Sequence, residues 1–136
     1  MPAGLASVSA RDAFNKFVAA INAHDVDALR AMMATDHIFI DSLGNQLRGA
    51  QAMEAGWRSY FTMCPDYCIT VGKVLVEQNS VVATGEAAGT IRGRSWRTPA
   101  AWQALIRNEQ VAEWQVFADN KPVYEILSST ATSANA

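Results

Sequence analysis

The hydrophobic period changes once, around Cys64-Pro65-Asp66, and that change does most to limit the folds open to this chain. Before it, apolar residues recur mainly at helical spacing. Ala13, Phe14, Phe17, Val18 and Ile21 form one stripe behind a cap-like Ser9-Ala-Arg-Asp12 start, with a stop near Asn22-Ala-His24. Asp25 can cap a second, shorter helix with Val26, Leu29, Met32 and Met33 inward. Residues 36–41 then alternate as a strand, with His37, Phe39 and Asp41 on one face and Ile38 and Ile40 on the other. A loop over 42–49 carries the turn signal Gly44-Asn45, and helical spacing returns over 50–63 through Ala50, Met53, Trp57, Tyr60 and Phe61. Beyond Pro65-Asp66 the pattern is mostly β. The spacing predicts strands over 67–76, 81–91, 96–107 and 111–117, joined by connectors of hairpin length.

Helix, helix, strand, helix and then an antiparallel run is the α+β order, with helices segregated onto one face of the sheet. The 136 residues fit one domain, placed at 9–127, with a flexible segment over 1–8 and a small, polar, disordered tail over 128–136. Half the residues are apolar and 18% are charged, below the ~25% usual for soluble domains. So apolar a chain is expected to bury part of its surface against a second copy. A net charge of −2 gives no basic field for nucleic acid. No window approaches a membrane span, and Met1–Val8 lacks the basic and apolar regions of a signal peptide, so a cytoplasmic, non-membrane protein is expected. Cys64 and Cys68 read as free thiols, and with only two histidines they complete no metal site. Glycine-rich phosphate loops and metal-binding His-Glu-x-x-His helices are absent from the sequence.

Three segments resemble the superfamily that holds nuclear transport factor 2, ketosteroid isomerase and the SnoaL-like cyclases. Lys16 to Leu29 is similar to its first helix, break and aspartate-capped second helix. Ile40-Asp-Ser-Leu-Gly44 with Arg48-Gly49 resembles the strand and loop that follow, and Val111 to Asp119 resembles the last strand of SnoaL-like proteins and of limonene epoxide hydrolase. The resemblance spans about residues 10–127. It implies a cone-shaped α+β barrel, in which a strongly curved, mainly antiparallel sheet wraps three N-terminal helices around an apolar pocket, often in a homodimer. It implies no single activity, and function has to be argued from the site.

By that resemblance Asp41 takes the place of the ketosteroid isomerase general base. A carboxylate at a strand end facing an apolar cavity suits proton abstraction next to a carbonyl; ketosteroid isomerase is itself the reference case for that principle. The alternative is that Asp41 starts the turn and accepts from backbone amides at 42–44. The two family positions that donate to the forming enolate fall at Phe17, which has no donor, and at or beside Trp102, whose indole can donate. Loss of one such donor costs ~10²–10³ in rate, which counts against steroid isomerisation. Asp119 matches the acid–base aspartate that ends the last strand, or else belongs to an ordinary turn with Asn120, Lys121 and Pro122. His37 is either a second pocket residue or a partly exposed strand-edge histidine; a regular strand puts it roughly 13 Å from Asp41. Trp57, Tyr60, Phe61, Trp102 and Trp114, with Phe17, are the candidate wall of the pocket, core and dimer contact being the other uses of such rings. The Arg92–Arg97 hairpin reads as a solvated tip or a contact for an anionic group.

Three functions are therefore open. One is a cofactor-free and metal-free enzyme of the isomerase, cyclase or hydrolase/dehydratase type, using Asp41, Asp119 or His37 on a small, mostly apolar or aromatic molecule. The second is a binding module using the same pocket without catalysis. The third is a dimeric scaffold whose core is filled.

Overall fold

The computed structural model describes the backbone of residues 3–135 and the side chains of residues 10–129. Its elements run α1 (Ala3–Ala23), α2 (Val26–Met32), β1 (Met33–Ile40), β2 (Gln46–Arg48), α3 (Ala50–Met63), β3 (Cys68–Glu77), β4 (Ser80–Ile91), β5 (Arg94–Arg107), β6 (Gln110–Ala118) and α4 (Lys121–Asn135). The side-chain environments on which a flexible 1–8 or a disordered 128–136 would rest lie outside the described residues, 128 and 129 excepted.

Local chemistry accounts for the helix boundaries. Asp25 accepts from the Ala28 amide at 3.1 Å and so caps α2. Gly49 precedes α3 at φ 99°, a backbone conformation that glycine adopts without strain, and its amide donates to the His37 carbonyl at 2.7 Å. Ala50, Met53, Trp57 and Phe61 are the buried stripe of α3. Met33, expected on the inward face of α2, instead opens β1 in extended conformation.

The strands form one mixed sheet in the order β2-β1-β6-β5-β4-β3. β3 to β6 pair antiparallel in sequence, whereas β1 pairs parallel with β6. β2 and β3 are free edges, so the sheet is open and the expected barrel is not closed. The antiparallel part departs from regular register between Val71 and Lys73 and between Leu105 and Ile106, two sites where an extra residue bends a strand. At the first of these the backbones come so close that a Cβ on Gly85 would run into the Thr70 carbonyl.

One face of the sheet is covered. On β5, Trp96, Thr98, Ala100, Trp102, Ala104 and Ile106 are all buried and their neighbours mostly exposed, the period-2 pattern of a half-buried strand. α1 lies against β3 to β6 and α3 against β1 and β2. Two elements escape the sequence reading. β2 forms inside the expected loop, pairing Leu47 with Phe39. A fourth helix, α4, begins where a turn was expected. The Asp119 carboxylate accepts from the Lys121 amide at 3.0 Å, the Asn120 carbonyl takes the first helical bond from Tyr124, and Val123 and Ile126 are buried.

Candidate functional site: an aromatic cavity beside Asp41

Between the covered sheet face and the helices lies a cavity of about 310 Å³. Its walls come from every layer. α3 supplies Met53, Gly56, Trp57 and Tyr60; the residue before β3 is Tyr67; β4 and β5 supply Ala87, Trp96 and Trp102; β6 supplies Trp114, Val116 and Ala118. The mouth is formed by Phe39 and Asp41 at the end of β1, Ser42, Leu47 of β2, and Asn120 before α4. An Asn120–Ser42 side-chain hydrogen bond ties the last of these to the β1–β2 turn.

Asp41 is the only residue of the wall with a formal charge at neutral pH. Its Oδ1 accepts from the amides of Leu43 and Asn45, both at 2.9 Å, and its Oδ2 accepts from Asn45 Nδ2 at 3.2 Å. The turn reading of Asp41 therefore holds, and the residue borders the cavity as well. The side chain organises the β1–β2 turn through one oxygen and borders the cavity, with one long bond on the other oxygen.

The rings meet at steep angles. Tyr60 and Tyr67 are 4.8 Å apart at 81°, and Phe39 and Trp57 are 6.5 Å apart at 67°. Tyr67 in turn stacks over Trp96 at 6.1 Å. Burial pushes both phenols well above the ordinary tyrosine range, so they remain O–H donors at any physiological pH. The Trp57 and Trp96 indole N–H groups are buried without an acceptor within bonding geometry. That of Trp96 stands beside the Cys64 sulfur, whose thiol is pushed up by burial and whose Sγ lies 3.7 Å from Asp66 Oδ1. Both cysteines are free.

Of the expected pocket residues, Asp41, Trp57, Tyr60, Trp102 and Trp114 come together at this cavity. Four others do not line it. Phe17 is fully buried in the core, 4.8 Å from Trp114 and 6.4 Å from His37 between ring centroids. Phe61 backs the wall from behind, stacked on Trp57 at 5.4 Å and on His24 at 4.1 Å. Asp119 opens onto a separate, shallower groove with Leu43, Lys121 and Tyr124.

His37 is neither a pocket residue nor an exposed strand-edge residue. It is fully buried, because β6 lies alongside β1 and the Val111 carbonyl accepts from His37 Nδ1 at 2.7 Å. A carbonyl can only accept, so Nδ1 carries the proton, and Nε2 is left without a partner. Burial lowers the His37 pKa below its ordinary 6.5, against smaller opposing effects of the Val111 bond and the Asp36 charge.

Sequence reasoning missed Phe39, Tyr67, Trp96, Ser42 and Asn120 as wall residues. Phe39 had a signal, since period-2 alternation puts it on the face of Asp41. Tyr67 just before β3 and Trp96 on β5 are brought together only through the β4 ladder, and nothing local relates them.

The model of the SnoaL-like domain family matches residues 14–121, most of the chain. The chain belongs to the SnoaL-like domain family. Solved structures agree on the fold of this SnoaL-like domain. A protein of Jannaschia proposed as a SnoaL-like polyketide cyclase superposes with TM-score 0.78 at 18% identity, covering 88% of this chain and 91% of that one. An LEH-like epoxide hydrolase of M. tuberculosis gives TM-score 0.78 at 13% identity, with 88% and 84% covered. A Catenulispora acidiphila protein with a ketosteroid isomerase-like fold, solved with trimethylamine, gives 0.75 at 19%, with 82% and 88% covered. No curated protein sequence matches the chain. Among the described residues no helix is long and apolar enough to cross a membrane.

Proposed function

We propose that this SnoaL-like domain binds a small, mostly apolar molecule in the aromatic cavity and performs cofactor-free proton transfer on it, as an isomerase, cyclase or hydrolase/dehydratase. The observation that carries the reading is Asp41, the one carboxylate bordering a mostly apolar and aromatic wall. Its Oδ2, held only by Asn45 at 3.2 Å, is the oxygen free to take a proton from carbon next to a carbonyl. The O–H groups of Tyr60 and Tyr67 are the donors for the oxygen that becomes negative, in place of the donor lost at Phe17. The proton then returns from Asp41 to another atom of the substrate, leaving the enzyme unchanged.

A binding-only role is the second reading. It is favoured by the commitment of Asp41 Oδ1 to the Leu43 and Asn45 amides. The filled-core scaffold loses ground, because the cavity of about 310 Å³ lies beside Trp102 and Trp114. We also place the domain in the cytoplasm as a homodimer. The uncovered sheet face supports the dimer with Val82, Leu105 and Phe117, exposed by 40%, 37% and 46%; sedimentation giving a monomer at all concentrations removes it.

The test is a thermal-shift panel of small carbonyls, steroids, polyketide-like aromatics and epoxides on wild type and Asp41→Asn, followed by turnover assays on every class that binds. A ligand at a hundredfold excess over its Kd stabilises by ~2.7 kcal/mol. Binding with turnover that Asp41→Asn abolishes is expected. Binding with equal turnover in both proteins removes Asp41 as the base, and a panel without any shift removes the ligand site.

A further inference from the structure

The cavity joins two features that a neutral apolar ligand does not require together. Its charge is one-sided: Asp41 stands at the mouth, and none of the lining residues is lysine, arginine or histidine. Of the cations next to lining residues in sequence, Lys121 faces the neighbouring groove and lies 3.9 Å from Glu125, Arg58 is paired with Asp27 at 3.2 Å, and Arg48 donates to the Gln46 side chain at 2.9 Å. Arg97 is paired with Glu86 at 2.9 Å on exposed side chains. The second feature is the crossing of rings within the wall, Tyr60 against Tyr67 at 81° and Phe39 against Trp57 at 67°. Rings that line one cavity at steep angles to each other bring aromatic surface to it in more than one orientation. A positive charge gains from the face of such a ring, most of all when its hydration shell has been stripped.

We infer that the ligand of this cavity is an organic cation, a tertiary or quaternary amine carrying an apolar body, with its charged head against the aromatic wall and the Asp41 carboxylate as counter-ion. The inference rests on the reading that this cavity is the ligand site, but not on Asp41 acting as a base. The hydrogen bonds from Leu43, Asn45 and the Asn45 side chain suit the counter-ion role well, since they fix the carboxylate in place before the ligand arrives. The volume, about 310 Å³, is at the small end of the ~300–1,000 Å³ range of small-molecule sites, enough for a trimethylammonium head with a ring or short chain.

The experiment compares cations with neutral carbon isosteres of the same shape by calorimetric titration of the full chain. The pairs are choline against dimethylbutanol and phenyltrimethylammonium against tert-butylbenzene. Each cation is expected to bind about tenfold or more tightly than its isostere. Asp41→Asn and Phe39→Leu are each expected to remove most of the advantage of each cation over its isostere. Equal or tighter binding of the isosteres overturns the cation assignment and leaves the cavity as an apolar ligand site. An advantage that survives unchanged in both variants overturns it too, by putting the cation elsewhere. Absence of binding by all four compounds overturns the assignment and the site together. The wild-type comparison decides the matter even where a variant fails to fold.

Discussion

His37 and Asp41 are four residues apart, one inside β1 and one just past its end, yet they meet opposite surroundings. Around His37 the space is filled: Phe17 packs on the imidazole and on Trp114, Phe14 stacks on Trp114 at 5.5 Å, and all four side chains are fully buried. At Asp41 the same sheet face opens onto the cavity, and the surrounding rings border space on one side while packing on other rings elsewhere. The filled end holds the fold together and the open end borders a cavity. Alternation along β1 assigns both residues to one face but does not tell a packed interior from a vacant one.

The difference can be broken most directly by truncation. Phe17→Ala at the filled end is expected to cost ~3–5 kcal/mol in chemical denaturation, the transfer and cavity cost of a fully enclosed ring. Phe39→Ala at the open end is expected to cost only ~1–2 kcal/mol, because that ring already borders space. Equal costs at the two positions would mean that the ends do not differ.

Acid should act on the filled end. The folded-state pKa of His37 is lowered below 6.5, so between the two values the unfolded chain binds the extra proton. The neutral imidazole's contribution is complete above the unfolded value and is lost as pH falls through and below it, at no more than ~1.4 kcal/mol per pH unit for one proton. A His37→Gln variant, compared with wild type at pH 7.5 and pH 5 by urea denaturation, should show a smaller loss of stability on acidification. A wild-type loss no larger than that of the variant would remove the argument. The smallest effect belongs to the open end. Asp41→Asn keeps a side-chain oxygen for the Leu43 and Asn45 amides and should change stability by no more than ~0.5 kcal/mol, while altering the response to ligand. A large destabilisation would recast Asp41 as a structural residue first.

Most of the architecture was legible because it is written in local period. The stripe of α3, the Asp25 cap and the three hairpins of the antiparallel run are short-range patterns with short-range causes. β2 was hidden because Gln46-Leu47-Arg48 is too short to alternate visibly, and α4 because its small polar residues mask the Val123 and Ile126 positions that anchor it. The site was legible as a set of inward-facing aromatics. Sorting them failed at Phe17 and Phe61, since core and cavity wall share one period. His37 was misjudged because its cover is a parallel neighbour far along the chain.

That pairing also sets a schedule. The hydrogen bond from His37 to Val111 closes 74 residues of chain, and β6 stands between β1 and the rest of the sheet. While the chain is being made from its N-terminus, α1, α2, β1 and α3 emerge without the surface they cover, and β1 has only the three-residue β2 as a partner. The hairpins β3–β4 and β4–β5 can form as they appear, but the strand that joins them to β1 is the last of the six to be synthesised. Long-range closure of this kind slows folding relative to helical domains of similar size. Until β6 arrives, the greasy faces of α1 and α3 stand open to other chains, and the interval before the ribosome reaches Ala118 is when this protein is most exposed to misassembly.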